Sequence, residues 1–129
     1  SGNLGCQALA VMLRGMTLGE LRATRIAALA SKEALLGLLN GMVTGALAGA
    51  AMYVVVSRGG GEDALLLGGI TMAAMALSCM VAGLSGSLIP IVLKRLGADP
   101  ATASSIFLTT LTDVASMGSF LGLVTWLVL

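Results

Sequence analysis

The chain has 129 residues, of which 57% are hydrophobic and only 10% charged, with a formal net charge of +1 and a mean hydropathy of +1.03. A soluble domain carries about 25% charged residues, so this composition excludes an ordinary water-soluble globule and points to an integral membrane protein. Near-neutral charge and 3% aromatic residues leave no basic field or stacking platform for nucleic acid, and with no histidine and only Cys6 and Cys79, far apart, a zinc, copper or haem site lacks ligands.

Residues 1–16 open the chain with an apolar stretch, Leu4–Leu13, too short for the roughly 20 residues a spanning helix needs. They read as the end of a preceding helix. The first residues, Ser-Gly-Asn, have no charged leader and no initiator Met, as expected of a piece of a longer protein. Asn3 and Gln7 stand four apart and face one way on a helix, while Gly2 and Gly5 permit close backbone approach. Those amides suit either hydrogen bonding between helices or presenting carbonyl oxygens to a hydrated metal.

Residues 17–33 form the next connection. Thr17 and Glu20 have capping-box spacing, which predicts a surface helix over 18–33 with Leu18 and Leu21 on its apolar face and Arg22 and Arg25 on its basic face. The first complete span is predicted at 34–57. Gly37, Gly41, Gly45 and Gly49 recur every four residues along it, a line of small residues that lets a second helix come close. Residues 58–63 are a tight polar loop. A second span covers 64–95, with Gly83, Gly86 and Pro90 towards its end, where a kink or tilt can absorb its excess length.

Gly97 is a helix stop, and Asp99-Pro100 supplies an N-cap followed by proline at the first helical position, so 96–100 is a short loop. The last span, 101–129, repeats the small-residue device at Gly118 and Gly122. The eight methionines are packing filler. The fold class is therefore an all-α integral membrane protein with three complete transmembrane helices plus the end of a preceding one, held by glycine-mediated packing. Arg14, Arg22, Arg25, Lys32, Lys94 and Arg95 flank the first and third connections, and only Arg58 the middle one. The positive-inside rule then places those two connections in the cytoplasm and the C-terminus outside the plasma (inner) membrane.

The last span contains one charge, Asp113. An aspartate at a span centre costs about 2.5–3.5 kcal/mol on insertion scales, and apart from Lys94 and Arg95 at the very end of the second, no complete span holds a Lys, Arg or His to pair with it. On a helix Ser105, Thr109, Asp113 and Ser116 share a stripe, with Thr102, Thr110 and Thr112 nearby. Hydroxyls and one carboxylate suit a hydrated hard cation. Mg²⁺ keeps much of its water and is commonly held through one or two carboxylates, which two copies of the chain would supply. A protonated Asp113 bonded to Thr109 and a proton relay are the alternatives. Mn²⁺ and Co²⁺ share the oxygen preference of such a site.

Several stretches carry a family resemblance: GNLGCQ followed by LRGMTLGEL, then KEALLGLLNG, LKRLGADPATASS and TTLTDVASM. In order and spacing over essentially the whole chain, the sequence resembles the MgtE family of magnesium channels and transporters. The resemblance implies a homodimer of five-helix protomers, of which this chain would be the end of the second helix and helices three to five. It also implies a pore on the dimer axis lined by the second and fifth helices. Asp113 falls on the family's fifth-helix aspartate, Thr109 where a backbone carbonyl faces the ion, and Asn3 and Gln7 on the conduction-lining amides. The family's GNxGNQ pattern has Cys6 here in place of its second Asn, and Ser105 stands where some members have Asn. Family members often carry upstream cytoplasmic regulatory domains.

The function expected is channel-like passage of Mg²⁺ through a homodimer in the lipid bilayer. A proton- or Na⁺-coupled transporter and a non-conducting structural fragment are the competing readings. An intramembrane aspartyl hydrolase needs two acids sharing a proton. One chain has a single intramembrane acid, so no enzyme is expected.

Overall fold

The computed structural model describes residues 1–20 and 23–128. It contains four helices: α1 (Gly2–Thr17), α2 (Ala23–Arg58), α3 (Ala64–Arg95) and α4 (Pro100–Leu127). At 1.5 Å per residue they are about 24, 54, 48 and 42 Å long. The last three are long and apolar enough to cross a membrane; α1 is shorter than the roughly 30 Å hydrocarbon core. Large apolar side chains point outward, among them Leu47 at 71% and Trp126 at 80% exposure, as helices solvated by lipid require.

Two expectations about the start of the chain are corrected. The helix expected over 18–33 and the span expected at 34–57 are one continuous helix, α2. Nothing between Ala23 and Leu36 breaks a helix, and Lys32 and Glu33 are good helix formers whose charges sit at the end of long stems. Leu21 and Arg22 of the expected amphipathic face lie outside the described residues. Thr17 does not open a helix with Glu20 but closes α1, its hydroxyl donating to the Arg14 carbonyl at 2.8 Å. Gly19 follows in the left-handed region, φ +67°, with the Glu20 amide donating back to Gly15 at 3.1 Å, a Schellman stop. Gly97 ends α3 the same way, at φ +79°, with Ala98 N–H donating to Leu93 at 2.9 Å. Asp99 then caps α4, accepting from the Ala101 amide at 3.1 Å and from the Thr102 hydroxyl at 3.0 Å.

The bundle is organised around α3, which packs against all three other helices, while α4 also touches α1. On one side, Gly37, Gly41, Gly45 and Gly49 lay α2 directly on the α3 backbone. A Cβ added at Gly41 would lie 2.7 Å from Ala76 Cα, and one at Gly45 2.8 Å from the Met72 carbonyl oxygen. At Gly37 it would overlap the Cys79 carbonyl, and at Gly49 the Gly68 carbonyl. In lipid, close approach stands in for hydrophobic burial as the source of helix association, through dispersion contacts. Gly83 and Gly86, expected to serve a kink, also serve contact: Gly83 meets the Glu33 carbonyl of α2 and Gly86 the Gly5 carbonyl of α1. Helix α3 runs through the buried Pro90 to Arg95. Gly118 and Gly122 differ from expectation, since an added Cβ at either meets nothing within 4 Å. They lie on the outer face of α4, so they pack no helix among the described residues.

Candidate functional site

The polar residues singled out in the sequence gather where α1 meets α4. The two helices run antiparallel. Ser1 lies beside Ser116, their hydroxyl oxygens 2.8 Å apart, Gly2 beside Thr112, and Gly5 beside Leu108. Thr112 and Leu108 are fully buried in this seam. Residues advance 100° around a helix, and in an antiparallel pair one step forward on both helices turns towards the same side. Asn3 and Asp113 are each one step past the Gly2–Thr112 contact. They therefore emerge together, on the side away from α3, and both are exposed. Gln7, four residues past Asn3, runs level with Thr109, four before Asp113, and these two are exposed as well. Ser105 continues the stripe on α4, and Cys6 adjoins Gln7 on α1.

The hydroxyls of this stripe are set to accept. Thr109 Oγ1 donates back to the Ser105 and Ile106 carbonyls at 3.0 and 3.1 Å, and Thr110 Oγ1 to Ile106 at 2.9 Å. With the proton turned into the helix, each oxygen keeps lone pairs facing outward. The Thr109 carbonyl is less free. It accepts from the buried Thr112 hydroxyl at 3.0 Å as well as from its own helical partner, which occupies both lone pairs. What Thr109 offers the stripe in this arrangement is its side-chain oxygen. Ser116 is half-buried, and its bond to Ser1 closes the seam at one end.

Among the described residues no group of three His, Cys, Asp or Glu could chelate a metal. A bare transition ion has no cage here. A hydrated dication is different: its outer waters present hydrogens, and a stripe of carboxylate, amide carbonyl and hydroxyl oxygens accepts them. The thiol of Cys6 is a weak acceptor at a position where an amide would be a strong one.

Some partners were not visible as pairs in the sequence. Ser78 of α3 faces Ser119 of α4 with hydroxyl oxygens 3.2 Å apart. The Ser104 hydroxyl is fully buried and has no partner. The Gly5–Gly86 contact had a sequence signal, since both helices carry glycines three apart, Gly2 and Gly5 on α1, Gly83 and Gly86 on α3.

Residues 1–123 match the family model MgtE, described as a divalent cation transporter. The chain is similar to a magnesium transporter MgtE of Enterococcus faecalis, 40% identical over 117 residues that cover 91% of this chain and 24% of the relative. It is also similar to a magnesium transporter MgtE of Bacillus subtilis, 33% identical over 125 residues, 97% of this chain and 26% of the relative. The chain thus spans about a quarter of the length of these curated relatives. No solved structure matches it. With a family model covering nearly its whole length, the chain belongs to the MgtE family of divalent cation transporters.

Proposed function

We propose that the chain forms the cation-passing part of a homodimeric, channel-like Mg²⁺ transporter in the plasma (inner) membrane, with Asp113 at the ion site. The observation that carries this reading is the exposed Asp113 midway along α4, level with Asn3 and one helical turn from Gln7, in a chain without a complete metal-binding group among its described residues. A carboxylate in such a place needs water or a cation beside it. A second copy across the open α1–α4 face would bring a second carboxylate, and two suffice for an ion that travels with its water. Asn3, Gln7, Ser105, Thr109 and Thr110 would line the path with acceptors. Mn²⁺ and Co²⁺ are further cargoes the same oxygens accept.

Sidedness follows from the basic residues. Arg14 ends α1, Arg25 and Lys32 lie in the first third of α2, and Lys94 and Arg95 end α3. By the positive-inside rule this end of the bundle is cytoplasmic and the C-terminus lies outside. The upstream part of the protein, in this reading, holds cytoplasmic regulatory domains.

The test is Asp113→Ala in the complete protein. Mg²⁺ uptake by cells or proteoliposomes should vanish while the protein still purifies as a folded oligomer; undiminished uptake would remove Asp113 from the path. Flux that follows voltage and the Mg²⁺ gradient, unmoved by imposed proton or Na⁺ gradients, separates the channel from a coupled transporter.

A further inference from the structure

A second feature lies apart from Asp113. Helices α1 and α2 both pack on α3 and make at most slight contact with each other, and residues from the end of α1 and the start of α2 line a cavity of about 490 Å³. Arg14 lines it from α1, Arg25 and Lys32 from α2, and among the described residues Glu20 is the one acid in its lining. Arg25 and Lys32 are seven residues apart, two turns, so they share one face of α2. The rest of the lining is apolar, with Val11 and Leu29 among it, and Val11 is 48% exposed. Three cations against one acid, interspersed with apolar lining and beside the ends of membrane helices, match an amphiphile with an anionic head.

The geometry points to a binding site for an anionic phospholipid in this cavity, its phosphate among Arg14, Arg25 and Lys32 and an acyl chain along Val11 and Leu29. Basic pockets between transmembrane helices hold anionic headgroups by charge-assisted hydrogen bonds, and long basic stems reach the headgroup level while their methylenes stay in apolar surroundings. A free phosphate would use the cations and leave the apolar lining uncovered. The site depends on the chain lying in a membrane and not on the ion path, so Asp113→Ala should leave it intact.

The experiment is native mass spectrometry of the complete protein exchanged into micelles containing phosphatidylglycerol or phosphatidylcholine. Phosphatidylglycerol should be retained about tenfold better, the order expected of a few basic contacts. The combined variant Arg14→Gln, Arg25→Gln, Lys32→Gln should lose that preference, and Arg58→Gln, at the other end of α2, should keep it. Should the combined variant fail to fold, Arg25→Gln and Lys32→Gln singly should each lower the preference severalfold. Equal retention of the two lipids, or an unchanged preference in the folded variants, overturns the site. So does displacement of the lipid by millimolar inorganic phosphate, or an acidic segment of the protein coupling to Lys32 under carbodiimide in place of lipid.

Discussion

The two sides of α3 are built by different means. Towards α2 the contact is glycine on backbone, four times in succession, with no side chain between the helices where Gly37 and Gly49 meet Cys79 and Gly68. Towards α1 and α4 there is one such approach, Gly5 on Gly86. The remaining contacts include hydroxyls: Ser78 with Ser119, Ser1 with Ser116, and the buried Thr112 and Ser104. A backbone seam allows one separation between helices. Hydroxyls rotate and exchange partners, including with water. The hydroxyl-bearing side is the side on which Asp113, Asn3 and Gln7 emerge, and the glycine seam fixes α2 on α3 behind it.

The steepest test of that difference is at Gly41. In Gly41→Val the new Cβ would fall 2.7 Å from Ala76 Cα and 2.8 Å from the Met75 carbonyl oxygen, atoms of a helix that cannot step aside. Overpacking of this kind costs about 3 kcal/mol, visible as a large drop in melting temperature or loss of a monodisperse peak in detergent. Gly118→Val, in open space, should stay within about 0.5 kcal/mol of the parent. A loss at Gly118 as large as that at Gly41 would mean that the outer face of α4 is packed in the assembly.

A smaller effect of opposite sign is expected at Ser104. Its hydroxyl is buried without a partner, so Ser104→Ala should raise stability by about 1 kcal/mol. Destabilisation there would reveal a bound water completing the hydroxyl's bonds. The smallest effect belongs to the Ser78–Ser119 pair. A double-mutant cycle to Ala should give a coupling near 0.6 kcal/mol, the average for such bonds within membranes. A coupling of several kcal/mol would make the α3–α4 contact as rigid as the glycine seam and erase the distinction between the two sides.

The glycine seam was legible because a period of four along an uncharged helix has one geometric meaning. Asp113 was legible because a charge is rare and costly in a span. The turn after α1 was misread for want of a rule that weighs competing local signals. Thr17 and Glu20 have the spacing of a helix start, while Gly19 can take the left-handed conformation of a helix stop, and here the stop prevails. The boundary expected at residue 33 is no helix end, because the charges of Lys32 and Glu33 limit how deep a helix sits in lipid, not where it stops.

Period and charge by themselves determined the all-helical membrane class, the three spans, the glycine face of α2 and the singular position of Asp113, because each depends on the chemistry of one segment against its solvent. Only the tertiary structure decided that Gly118 and Gly122 face outward while Gly83 and Gly86 carry contacts, and that the Thr109 carbonyl is held by Thr112. It likewise decided that Asn3 and Asp113, 110 residues apart in the chain, share one face at one depth. The physical reason is that each of these depends on which helix lies opposite, and a segment's own sequence does not contain its neighbour.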